Sequence, residues 1–337
     1  MSQGYRWVRD DCGRGWNIVS GKRATFTAIG YFLNLYRIMK AHQSYEPSLL
    51  RTLQRHSKSE QVAFSPDSRL LASGSQHATI DIWELATGAL LRTLSGHSSN
   101  VLSITFSPDN NQLASGSRDT TIKIWEVATG QILQILAVHS TNIWSIAFSP
   151  DNKRLVSGSG DTTIKIWELA TGAVLRNIAG HSSNVWSIAC SPNNKQLASG
   201  SRDTTIKLWG IDTGAMLHTL KGHSDGIYVI AFSPDGKLLA SGSKDKTIRL
   251  WELATGAVLC ALTGHSSAVL SIAFSPNNKQ LASGSRDTTI KLWGLNTGAM
   301  LYTLESHSEG VYNIAFSPDG TQLASASGDG TIKLWNL

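Results

Sequence analysis

Cysteine is scarce in this 337-residue chain: Cys12, Cys190 and Cys260 are all it has, with no CxxC pair and no spacing suited to a disulfide framework or a metal. Cys190 stands where equivalent segments have Phe, and Cys260 where they have Arg, Gln, His or Tyr, so both read as small strand fillers in a reducing, cytoplasmic compartment. No run of 18 or more uncharged apolar residues occurs, so no segment reads as a spanning helix. Helical periodicity is missing from residue 48 onwards. Seven of the eight prolines sit in a Ser-Pro-Asp or Ser-Pro-Asn turn, and Pro47 alone does not. The chain also lacks a phosphate-cradling glycine loop, an HExxH pair and a nucleophile elbow, so no cofactor is expected and an enzyme has no unrepeated acid, base or metal set to use.

What is present is a period. Trp83, Trp125, Trp167, Trp209, Trp251, Trp293 and Trp335 fall at a constant 42-residue interval, each closing a near-copy of Leu-Ala-Ser-Gly-Ser-x-Asp-x-Thr-Ile-x-Ile/Leu-Trp. A fixed period of this size means one supersecondary unit repeated, burying its apolar faces only against its neighbours. The third copy shows four strand signals. Residues 143–148 are rich in β-branched and aromatic side chains and end at Ser149-Pro150-Asp151-Asn152, a turn in which proline presets φ. Residues 154–159 and 163–167 follow, separated by Gly160-Asp161-Thr162, and residues 173–178 make the fourth strand. Four short strands per repeat are the content of one propeller blade, so the expected fold class is all-β, a seven-bladed β-propeller.

A histidine recurs in register at His56, His97, His139, His181, His223, His265 and His307, and an acid at Asp119, Asp161, Asp203, Asp245, Asp287 and Asp329. With the tryptophans and the Ser-Pro-Asp turns, these residues make residues 48–337 resemble the WD40-repeat family, and the near-identity of copies such as 193–210 and 277–294 is similar to the highly repetitive WD40 proteins of bacteria. Two departures stand out. The residue after each Trp is Glu, Gly or Asn instead of Asp, and His77 occupies the acid's place in the first copy, which is also one residue short between His56 and Phe64. The resemblance implies a hydrogen-bonded chain of His, Ser, Asp and Trp in each regular blade, such as His181, Ser199, Asp203 and Trp209, or His223, Ser241, Asp245 and Trp251. The same set invites a hydrolase reading, but a catalytic constellation is needed once, whereas this one recurs in six copies, as a scaffold device would.

The last repeat reaches only two residues beyond Trp335 and so lacks a fourth strand, while Ser-Leu-Leu-Arg-Thr-Leu at 48–53 matches the fourth strand at 89–94 with no blade before it. Residues 48–53 are therefore expected to pair with the last blade and close the ring as one monomeric propeller. That divides the chain into a non-repeat segment, 1–47, and the propeller, 48–337. The segment carries seven Lys/Arg against three Asp/Glu; the propeller carries 23 against 21. Within 1–47, residues 26–39 place Phe26, Ile29, Leu33 and Tyr36 at helical spacing, which suits a docking helix or a disordered lead better than a membrane helix or a signal peptide.

Positions that vary between copies are informative because the copies control for what the fold requires. Strand direction puts the His connection and the Asp turn at one end of each blade, the top, and the Ser-Pro-Asp turns and Thr-Gly loops at the bottom. Just before the top Asp stand Arg118, Gly160, Arg202, Lys244, Arg286 and Gly328; at the second position of the innermost strand stand Glu60, Leu102, Trp144, Trp186, Tyr228, Leu270 and Tyr312. By resemblance, both positions rim the top face. The expected function is a non-catalytic scaffold or sensor that binds a protein or peptide there, with Trp144, Trp186, Tyr228 and Tyr312 as apolar anchors and Arg118, Arg202, Lys244 and Arg286 meeting acidic groups. The alternative is a nucleic-acid binder using the same cations and aromatics. A net charge of +2 over the propeller weighs against it.

Overall fold

The computed structural model describes residues 6–9, 16–19, 46–54 and 59–337. Residues 26–39, the suggested docking helix, and His56 lie outside the described residues. The described part of the N-terminal segment is a two-stranded antiparallel pair, Arg6–Arg9 with Trp16–Val19, which the sequence pattern had not flagged.

From Ser48 onwards the strands form seven four-stranded antiparallel sheets. In blade 3 they run Ile143–Phe148, Arg154–Ser159, Ile164–Glu168 and Val174–Ile178, within one residue of the sequence reading. The first strands of successive blades touch one another around the whole circle, blade 7 against blade 1 included, so they line the axis and the fourth strands form the circumference. Blade 7 borrows its outer strand: Ser48–Gln54 pairs with Thr331–Asn336, Ser48 opposite Asn336 and Gln54 opposite Thr331. Leu53 thereby enters the core shared with Val62, Phe64, Leu71 and Trp83 of blade 1. The ring is closed as expected.

The core is seven interblade cores. Between blades 2 and 3, for example, Ile122, Ile124 and Leu136 meet Ile143, Phe148, Leu155 and Trp167. Every blade is thus apolar on both faces, and each Trp fills the gap towards the preceding blade; truncating one such Trp to Ala would cost about 3–5 kcal/mol. The blades must also approach closely at the second glycine-bearing strand. A Cβ on Gly116 would lie 2.6 Å from Ile143 Cγ2, and one on Gly158 would lie 2.8 Å from Val185 Cγ1. Only blade 7 has Ala326 at this position, facing the one blade whose inner strand begins with Ser59 instead of Val or Ile.

Polar rungs supplement the packing. The Ile146, Ile188, Ile230 and Ile314 amides donate to Ser103, Ser145, Ser187 and Ser271 Oγ of the preceding blade at 3.0–3.1 Å. At the ring-closing junction the Val62 amide donates to Asn313 Oδ1 at 3.2 Å. On the circumference, the Arg51, Arg92, Gln134 and Arg176 side chains donate to loop carbonyls of the next blade. The equivalent positions in blades 4, 5 and 6 are His218, Cys260 and Tyr302, none with the reach of a guanidinium.

Candidate interaction face

The top of each regular blade is set by a relay of four side chains. In blade 2, Trp125 Nε1 donates to Ser115 Oγ at 2.7 Å, Ser115 Oγ lies 2.7 Å from His97 Nε2, and His97 Nδ1 lies 2.7 Å from Asp119 Oδ2. In blade 4 the distances are 2.8, 2.7 and 2.7 Å through Trp209, Ser199, His181 and Asp203. In blade 5 they are 2.8, 2.7 and 2.8 Å through Trp251, Ser241, His223 and Asp245. Blades 3, 6 and 7 repeat the arrangement. A carboxylate can only accept, so Nδ1 carries the hydrogen and Nε2 accepts from the serine hydroxyl: the chain of donors runs one way through a neutral imidazole. Burial agrees, holding His97, His139, His223, His265 and His307 below the usual histidine value despite the carboxylate beside each.

The acid does more than hold the imidazole. Asp119 Oδ2 also accepts from the Ser98 amide, and Oδ1 accepts from the amide and hydroxyl of Thr121 at 2.9 and 2.6 Å. Burial alone would raise its carboxyl, but these bonds outweigh that and hold Asp119, like Asp161, Asp287 and Asp329, at about 2. The threonine two residues beyond each acid is thus a fifth member that the sequence reading missed, although Thr121, Thr163, Thr205, Thr247, Thr289 and Thr331 recur as regularly as the histidines.

Ser, His and Asp are connected here as in a nucleophilic triad. The surroundings do not suit that chemistry. Ser115, Ser157, Ser199, Ser241, Ser283 and Ser325 have no exposed surface, and each Oγ already accepts an indole N–H, so an electrophile has no path to it. Among the described residues, no group of three His, Cys, Asp or Glu is placed to hold a metal ion. Cys190 is half-buried, and the desolvation of its thiol pushes it up to about 12, which leaves it unreactive.

The second position of each innermost strand has a feature that periodicity cannot show. In all seven blades the pairing register slips there: Ile143 and Ser145 are opposed by Ser159 and Gly158, leaving Trp144 as the extra residue of a β-bulge. Trp186, Tyr228 and Tyr312 occupy the same bulge, as do Leu102 and Leu270. A bulge leaves its residue out of the ladder and re-aims the side chain, which brings these rings to the mouth of the channel half-exposed while Val185 and Ile188 beside Trp186 stay buried.

The structure gathers the anchors unevenly. Trp144, Trp186 and Tyr228 stand on three consecutive blades, and Tyr312 is two blades further on. Trp186 and Tyr228 stack, with ring centroids 4.6 Å apart and planes 15° from parallel. Gly226 permits this: a Cβ there would meet the Trp186 ring at 2.6 Å. Trp144 borders Gly160, where a Cβ would lie 3.3 Å from its indole nitrogen, so the absence of a rim side chain in blade 3 makes room for that ring. Arg118, Arg202 and Arg286 are exposed on the rims of alternate blades, 2, 4 and 6. Lys244 differs from them, since its ammonium is 3.3 Å from Asp225 of its own blade, and this half-exposed pair leaves little net charge at blade 5.

Seven four-stranded blades, closed by a strand from before the first repeat and braced by a His-Ser-Asp-Trp relay, define a seven-bladed β-propeller of the WD40 type. Residues 58–337 match a family profile described as WDR3 second beta-propeller domain, which covers most of the chain, and the chain belongs to this family. WD40 propellers generally serve as non-catalytic interaction scaffolds.

Proposed function

We propose that this chain is a non-catalytic interaction propeller that holds a protein or peptide segment on its top face. The observation that carries the reading is the stacked Trp186–Tyr228 platform, presented by bulges at the channel mouth, with the Trp186 ring and the Arg202 Cα both beside Gly226. Half-exposed rings held in place by packing offer contact area at little further entropic cost, and Arg118, Arg202 and Arg286 on alternate blades supply donors for carboxylates. Tyr312 and Trp144 extend the apolar surface, and Lys244 contributes chiefly by orienting Asp225. A monomeric ring over residues 48–337, working in the cytoplasm of a bacterial cell, is the setting proposed for it.

A displayed random-peptide library panned against the wild-type protein tests this. Peptides recovered are expected to combine acidic with bulky apolar residues. Their affinity should fall about thirtyfold or more for Trp186→Ala/Arg202→Glu, equivalent to about 2 kcal/mol, with an unchanged melting temperature. Lys195→Glu, on the bottom, should change little. Binding lost with Lys195→Glu and kept with the top-face variant would move the site to the other face, and tight, steeply salt-dependent binding of random oligonucleotides would replace the peptide reading with a nucleic-acid one.

A further inference from the structure

Charge on the bottom face is not spread evenly. In blades 3 to 6 the Ser-Pro turns and Thr-Gly loops hold Asp151, Glu168, Asp212, Asp235 and Glu252 against Lys153, Arg154, Lys195, Lys237 and Lys279, which balance. In blades 7, 1 and 2 the same turns and loops hold Asp319, Asp67, Glu84, Asp109 and Glu126 against Arg69 alone, a net charge of −4 that Arg51 and Arg92, whose guanidinium groups reach the Leu85 and Val127 carbonyls of these loops, reduce to −2. The sector also contains a cleft of about 550 Å³ between blades 7 and 1, whose walls include Asp67, Glu84, Leu85 and Asp319.

The chain enters the propeller at this place. The closing strand begins at Ser48, opposite Asn336, which is the bottom end of blade 7. Its Arg51 reaches across to the Leu85 and Ala86 carbonyls, on the wall of the cleft. Exposed Leu49, Leu50, Leu90 and Leu91 lie along the fourth strands of the same two blades. Immediately upstream, residues 20–45 contain Lys22, Arg23, Arg37 and Lys40 and no Asp or Glu, a net charge of +4, together with Phe26, Ile29, Leu33 and Tyr36. We propose that residues 20–45 dock in cis on the acidic sector of the bottom face, across the cleft between blades 7 and 1. Two or three residues of tether hold the C-terminal end of the segment within about 10 Å of Ser48. A tether that short makes the encounter intramolecular, with an effective concentration in the millimolar range. Basic side chains meet the five carboxylates there, and the apolar residues cover the leucines and the cleft. The docking is independent of the top-face reading and leaves the top face free.

Zero-length carbodiimide cross-linking of the full chain, read by mass spectrometry, tests it. Lys22 and Lys40 are expected to couple within one molecule to Asp67, Glu84 or Asp319 in preference to Asp212 and Glu168. The triple variant Asp67→Asn/Glu84→Gln/Asp319→Asn should reduce those links at least fivefold and speed tryptic cleavage after Arg37 and Lys40 by a similar factor. The variant should fold, because Asn193 and Asn277 already occupy the equivalent turn position and Gly210 and Gly294 the equivalent of Glu84. Links spread equally over bottom-face acids of blades 3 to 6, links only between two molecules, or cleavage rates unchanged by the variant would each overturn the proposal.

Discussion

Blade 1 and blade 4 are built on the same turns and the same tryptophan, yet they distribute charge in opposite ways. In blade 4 the acid is in the top turn, at Asp203, and the third strand carries Lys207, whose ammonium donates to Thr219 Oγ1 at 3.2 Å. In blade 1 the turn holds His77 and the third strand carries Asp81, fully buried, accepting from Thr93 Oγ1 at 2.8 Å. The rung between third and fourth strands therefore survives with donor and acceptor exchanged. The turn survives as well. The His77 amide still donates to Ser75 Oγ, Ala78 has φ +62°, and Thr204 of blade 4 has φ +69°. Trp83 still donates to Ser73 Oγ at 2.9 Å. The comparison teaches that backbone and serine bonds shape the turn, while the carboxylate stabilises it.

The sharpest test of blade 1 is to remove what supports it from outside. A chain beginning at residue 55 loses the strand Ser48–Gln54 and uncovers Leu334 and Ile332 together with the core that Leu53 shares with Trp83. We expect it to be insoluble or destabilised by more than about 4 kcal/mol in urea, beyond the range of ordinary single substitutions. A chain beginning at residue 44 keeps the closing strand and should fold. Equal midpoints for the two would mean that the closing strand contributes nothing to the seam between blades 7 and 1.

A smaller effect separates the two blades directly. Asp203→Ala strands His181 Nδ1 and the amides of Ser182 and Thr205 and should cost roughly 1–3 kcal/mol, whereas His77→Ala removes no carboxylate and should cost under about 0.5 kcal/mol. Acid should weaken the regular blades 2, 3, 5, 6 and 7 as a group. The five imidazoles held below the usual value stay neutral in the folded ring while the unfolded chain takes up protons, so stability drops as pH falls below about 6.5. The carboxyls held at about 2 add stability that is complete above their usual value of 3.8 and is lost as pH falls from there towards 2. Urea midpoints at pH 7.5, 5.5 and 4 should decline in that order, and equal costs for the two substitutions would show that His77 has taken over the acid's role.

The smallest effect asks whether the two turns share one backbone. Thr204 and Ala78 both lie in the left-handed region, where a β-branched side chain is strained, and blade 7 has Gly330 there at φ +81°. Thr204→Gly should raise stability by about 0.5–1 kcal/mol, Ala78→Gly by somewhat less, because the relief of strain exceeds the entropy that glycine adds to the unfolded chain. A gain at Thr204 with a loss at Ala78 in thermal melts would show that the blade 1 turn has a different shape.

Local chemistry explains which features were legible beforehand. The relay residues could be placed because they recur in register and the resemblance implies their hydrogen-bonded chain: Ser199, Asp203 and Trp209 lie within one hairpin, and His181 joins them from 18 residues before Ser199. Trp186 and Tyr228 could be named as variable positions on a top face, but their stacking could not be read, because it depends on a register slip and on the missing Cβ of Gly226. Thr205 was readable in principle from its recurrence two residues beyond the acid.

The sequence by itself determined the unit, its count and its turns, because a 42-residue period with proline, glycine and asparagine at set places leaves the local chain few alternatives. It also determined that Ser48–Leu53 must find a partner strand, through its likeness to a fourth strand with no blade of its own. Only the tertiary structure decided where the side chains between units meet: the stacking of Trp186 on Tyr228 across two blades, the serine rungs from blade to blade, and the acidic sector formed when blades 7, 1 and 2 become neighbours. These arise from contacts between residues about one repeat apart, or nearly the whole chain apart at the seam, and such contacts are set by how the blades pack around the ring.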